Sequence, residues 1–146
     1  MVNPVVALNA VNLTTATGLL AARVAGCPIT SRDGYWEAAG YRWRFPDAGA
    51  FTIGCVVISR QPVPAAVWEH ETSHMRQYAL LGALFWPAYG LAAGYSLLRT
   101  GDWWSRNVFE RRAGLAAGGY AQNPVRRLRR ARKRPSAGTA AGAVTA

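Results

Sequence analysis

From Asn3 to Ala25 the chain carries one charge, Arg23, and its apolar positions Val6, Leu8, Val11, Leu19 and Leu20 recur as on a helix facing a core. The period then shortens. Tyr35 and Trp36 run into an Ala-Ala-Gly turn, Tyr41, Trp43 and Phe45 alternate with Arg42 and Arg44, and Phe51 to Arg60 is a β-branched run. Strands are therefore predicted over about 35–60. Pro62 and Pro64 make the next junction a loop, and Pro64 can open a helix over about 64–81, because a first-turn proline forfeits no helical hydrogen bond. Tyr78 to Leu98 is 21 residues without a charge, long enough to span a bilayer. Gly82 and the Trp86-Pro87 step divide it, so two shorter buried helices joined by a turn explain the same composition. These elements predict an α+β domain over 1–125. It has an N-terminal helix, a short three-stranded sheet packed on helices, the 64–81 helix, and two or three further helices reaching about 121.

Length and composition fit one domain: 146 residues, 51% hydrophobic and only 16% charged, exclude a disordered chain. Two cysteines exclude a disulfide-dense scaffold and a four-cysteine zinc knuckle, and Cys55 reads as a small hydrophobe in a strand. The net charge of +10 invites a nucleic-acid or anionic-membrane reading until its distribution is examined. Seven of the cations are Arg126, Arg127, Arg129, Arg130, Arg132, Lys133 and Arg134; without them 10 basic and 7 acidic residues leave +3. Residues 126–146 are thus expected to form a basic, then Ala/Gly-rich tail, either a solvated appendage or a contact to phosphates or lipid headgroups. No Lys or Arg precedes Arg23, so no secretory signal is expected, and Arg23 spoils the lipoprotein-like run Val24-Ala25-Gly26-Cys27. The expected location is cytoplasmic, with 78–98 as the segment open to membrane association. Gly90 and Gly94 there have a spacing that suits close helix packing, and the Trp103-Trp104 pair reads as core or as an interfacial belt.

The two histidines of the chain both fall in His70-Glu71-Thr72-Ser73-His74, an HExxH motif. Residues four apart on a helix lie about 40° apart around its axis, so both imidazoles can bind one Zn²⁺. Glu71, about 100° around from His70, stands beside the metal, placed to take a proton from water as a general base. No further histidine exists, so the third ligand is sought among the seven acids. Asp33, Glu37 and Asp47 precede the motif, Glu69 and Glu71 belong to its helix, and Asp102 and Glu110 follow. Asp102, after Gly101, reads as a turn residue. Glu110 has two competing roles: the third ligand, or the partner of Asn107 in a capping box that opens the helix Asn107 to Ala113. Gln77 shares the helical stripe of His70 and His74 and either hydrogen-bonds a ligand or ends the stripe in solvent. Tyr89, Tyr95 and Tyr120 are conceivable oxyanion donors, and equally conceivable packing residues.

HExxH followed by a glutamate on a second helix resembles the gluzincin zinc metallopeptidases, especially their minimal forms. The wider run His70-Glu71-x-x-His74-x-x-Gln77-Tyr78, the Trp86-Pro87-Ala88-Tyr89 step and Asn107-x-Phe109-Glu110-Arg111-x-Ala113 look like a group of small uncharacterised bacterial proteins of that type. The resemblance covers about 65–113. It implies a zincin-like domain with His70, His74 and Glu110 as zinc ligands, Glu71 as general base and a peptide or protein substrate lying along a sheet edge. No residue matches the His or Tyr that steadies the oxyanion in those enzymes. Two further readings stand beside it: a zinc-binding protein without activity, and a membrane- or nucleic-acid-associated protein acting through its Arg-rich tail.

Overall fold

The computed structural model describes residues 3–32 and 34–126. It is α+β, with helices α1 (Pro4–Val11) and α2 (Thr14–Val24), strands β1 (Ile29–Arg32), β2 (Tyr35–Ala39), β3 (Ala50–Ile53) and β4 (Val56–Ser59), and then α3 (Ala65–Leu81). A 3₁₀ turn (Gly82–Leu84) leads to α4 (Phe85–Thr100), and α5 (Val108–Ala113) follows. The four strands form one mixed sheet in the order β1-β2-β4-β3, with β2 parallel to β4 and the other pairs antiparallel. Central β4 is buried throughout and divides the core by its alternation. Val56 and Ile58 pack with Ala22 of α2, whereas Val57 packs with Met75 of α3. The sheet thus lies between α2 on one face and α1 and α3 on the other.

The sheet departs from the expected three strands for identifiable reasons. The run Phe51 to Arg60 is a hairpin rather than one strand, because Gly54, at φ 61°, turns it against the start of α2. A Cβ there would stand 2.4 Å from the Thr14 carbonyl carbon, so glycine meets both the turn and the close approach. Tyr41 to Phe45 alternates but forms no strand: β2 already has β1 and β4 as neighbours, and this segment must cross beyond β4 to deliver β3 to the far edge. Ile29–Arg32, unexpected, fills the remaining edge beside β2.

The N-terminal helix is two helices bent by 77° at Asn12 and Leu13, and its apolar residues Leu8, Val11 and Leu20 point outward. Polar and small residues decide its inner face. Buried Asn9 donates from Nδ2 to the Met75 carbonyl (2.9 Å) and accepts from Thr14 Oγ1 (2.7 Å), and Gly18 lets α2 approach the hairpin backbone. The predicted 64–81 helix begins at Ala65 with Pro64 in the capping position, and the expected break at Gly82 is present. Helix α4 is not the buried helix expected, since much of its outer side is exposed. No helix extends to 121: after Ala113 the chain turns, with Gly114 and Gly119 at positive φ. The Arg127 to Arg134 cations and the remainder of the tail lie outside the described residues.

Candidate metal centre

The centre is assembled from α3 and α5. His70 and His74 stand one turn apart on the buried side of α3, as their spacing requires. The chain reverses through the Gly82 turn, runs along α4, and is turned again by Asp102. That carboxylate accepts hydrogen bonds from Trp104 N, Ser105 N, Ser105 Oγ and Asn123 Nδ2, which makes it a turn residue and an anchor for the segment that follows. Helix α5 then brings Glu110 against α3. The capping box is not formed. Asn107 caps the helix by accepting from Phe109 N, but its own N–H bonds to the Trp104 carbonyl, so the Glu110 carboxylate is released toward the imidazoles.

Each imidazole has its Nδ1 engaged: His70 with the Gly114 carbonyl at 3.0 Å, His74 with Gln77 Oε1 at 2.9 Å. Gln77 is oriented in turn, because its Nε2 donates to the Phe109 carbonyl. Both acceptors assign the N–H to Nδ1, leaving Nε2 of each ring with a bare lone pair. These two Nε2 atoms stand 3.1 Å apart, and Glu110 Oε2 lies 3.2 Å from that of His70. Glu110 Oε1 is 3.5 Å from His74 Nε2, while Oε2 is buried with no hydrogen-bond partner among the described residues. Three electron-rich atoms converging in a buried place repel one another unless a cation sits among them. A tetrahedral ion held at about 2.0–2.1 Å spaces its donors roughly 3.3 Å apart, close to the separation of the two Nε2 atoms and of Glu110 Oε2 from His70. His70, His74 and Glu110 can therefore hold a metal ion.

The closeness of these groups shifts their ionisation. Burial opposes a charged His70, yet Glu110 beside it, with Glu71 and the Gly114 carbonyl, moves it above its ordinary value. Burial would raise Glu110, but the neighbouring His70 and His74 imidazoles and the Tyr89 hydroxyl hold it well below the carboxylate range. The Tyr89 hydroxyl donates to Glu110 Oε1 at 2.5 Å. Burial raises Glu71, and the 2.7 Å bond from Thr52 Oγ1 on β3 partly offsets this.

All four residues open onto one cavity of about 550 Å³, walled by α2, the 41–48 loop, β3 and the start of α4. Tyr89 and Tyr120 line it; Tyr95 does not and is half exposed. On the far side, the anchored C-terminal segment seals His70. Gly118 is so close that a Cβ would meet Cε1 of that ring at 2.6 Å, and Tyr120 leans edge-on against it while stacking on Trp104. Thr52, Gly114 and Gly118 carry no spacing relation to the motif, and no signal in the sequence marks them. Comparison with protein-family models, with curated proteins and with solved structures returns no match.

Proposed function

We propose that this chain is a zinc-dependent metallopeptidase of the gluzincin kind its motifs resemble. The observation that carries the reading is the buried Glu110 Oε2, unpaired and facing two imidazoles whose Nδ1 atoms are already committed. Zinc suits two nitrogen donors and one carboxylate, with a position left open for substrate; bound there, it supplies a Lewis acid that acidifies water and polarises a carbonyl. The chain's own residues do the rest. Glu71, fixed by Thr52 and made more basic by burial, takes a proton from the attacking water and returns it to the leaving amine. Edge strand β3 lines the cavity next to Glu71, so an extended peptide can pair with it, its side chains meeting Phe51 and Trp86.

Glu71→Gln tests the assignment. Cleavage of a mixed peptide library, followed by mass spectrometry, should fall by about 10²–10⁴-fold while bound zinc stays at the wild-type level. A variant that still cleaves removes Glu71 from the mechanism. A wild-type protein that holds zinc and cleaves nothing supports the inactive zinc-binding reading instead.

A further inference from the structure

Many large apolar side chains of α2, the 41–48 loop and α4 are exposed. Of the most apolar window in the α3–α4 region, only 17% is buried, the reverse of a core helix. Leu84, Leu91, Tyr95 and Leu98 recur at helical spacing along one outer stripe of α4, where Leu98 is 80% exposed, and Leu80 at the end of α3 is 81% exposed. At the head of α4, Trp86 and Gly90 belong to the wall of the metal cavity, and exposed Val24, Trp43 and Phe45 complete the rim. Exposed arginines accompany this surface: Arg76 one turn before Leu80, Arg99 next to Leu98, Arg23 beside Val24, and Arg42 and Arg44 alternating with the rim aromatics. The Arg99 guanidinium lies over the Tyr95 ring, its stem along the apolar side. Among the described residues the exposed carboxylates are Asp47 and Glu69.

We propose that the outer stripe of α4 and the rim of the metal cavity dock on an anionic lipid bilayer. A second copy of the chain would set arginine against arginine, whereas anionic headgroups complement the arginine margin and hydrocarbon accepts the leucines and tryptophans. Helix α4 lies on the surface rather than crossing it. Its 16 residues span about 24 Å, short of the roughly 30 Å hydrocarbon layer, and its inner side is committed to protein through Phe85, Ala93 and Ser96, whose Oγ accepts from Arg106 N. Docking turns the cavity mouth toward the bilayer. The inference does not depend on catalysis.

Flotation with phosphatidylcholine vesicles, with and without phosphatidylglycerol, tests it on the full chain and on Leu91→Glu/Leu98→Glu. Both substituted positions are exposed, so circular dichroism and metal content should not change. The wild type should float with the anionic vesicles and remain bound in about 0.5 M NaCl, where charge alone is screened over a few ångströms. The double variant should lose this salt-resistant binding by at least about 10-fold. Trp43→Ser/Phe45→Ser, which alters only the rim loop, should weaken it in the same direction. Equal salt-resistant binding by wild type and variants, or none by the wild type, overturns the proposal. So does a wild-type dimer that the Leu variant splits without any effect on vesicles, or a single-stranded oligonucleotide bound while vesicles are not.

Discussion

Two buried carboxylates on the same side of the chain, Asp102 and Glu110, are treated in opposite ways. Asp102 is saturated: both oxygens accept two donors each, and although burial would raise it, these bonds bring it down to about 2. Glu110 is also held below its ordinary value, but one oxygen has no hydrogen-bond donor and faces lone pairs across about a metal's width. Both acids are ionised. The difference lies in what faces the charge: N–H and O–H groups of the chain on both oxygens in one place, and in the other, besides the Tyr89 hydroxyl, two histidine Nε2 atoms in a set that could hold a metal ion. A carboxylate that builds structure consumes its own acceptor capacity, whereas one that binds metal must be kept short of partners.

The comparison is broken most severely at Glu110. Glu110→Ala should lower zinc affinity by at least about 10³-fold, measured by chelator competition and metal analysis, beyond the roughly 10–100-fold expected for losing a residue that merely orients a ligand. Unchanged occupancy would sink the assignment. Asp102→Ala should act on the fold instead: about 2–4 kcal/mol of stability lost in denaturant melts at neutral pH, with zinc retained in the folded fraction. A depressed native pKa contributes stability above the unfolded value of 3.8 that disappears as pH falls through about 2. The wild type should therefore weaken across that window, and Asp102→Ala, with no such group to titrate, should show a flatter acid limb. The smallest effect belongs to Gln77→Ala, which frees His74 to rotate and should cost about 10–100-fold in metal affinity with little change in melting. An unaltered affinity would reduce Gln77 to a tie between α3 and α5.

The same contrast explains what could be read in advance. His70, Glu71, His74 and Gln77 lie on one helix, where spacing alone determines which side chains share a face. Glu110 followed from scarcity, since few acids remained after the motif. The capping-box alternative could not be decided from sequence because its answer sits in the Trp104 carbonyl, a backbone atom of a turn that no residue pattern announces. Thr52, Gly114 and Gly118 reach the centre only through tertiary packing. The Tyr41 to Phe45 alternation misled for a related reason. Period two reports a strand only where a neighbouring strand has a free edge, and here the aromatics project from a crossover loop at the cavity rim. Likewise hydropathy assigns Leu8, Val11 and Leu20 inward with Leu19, but only Leu19 packs on the core, and hydrogen bonding by Asn9 and Thr14 turns another side of α1 inward.

The order of the donors along the chain also bears on how the centre is born. During synthesis the helix with both imidazoles emerges first, and Glu110 and the Gly114 carbonyl follow only after α4 and the Asp102 turn. A nascent α3 would therefore offer an ion only two donors. The third would arrive only when α5 docks and the Asn123 anchor draws the last segment over His70. A metal held by all three residues would thus report that the last elements of the domain have docked.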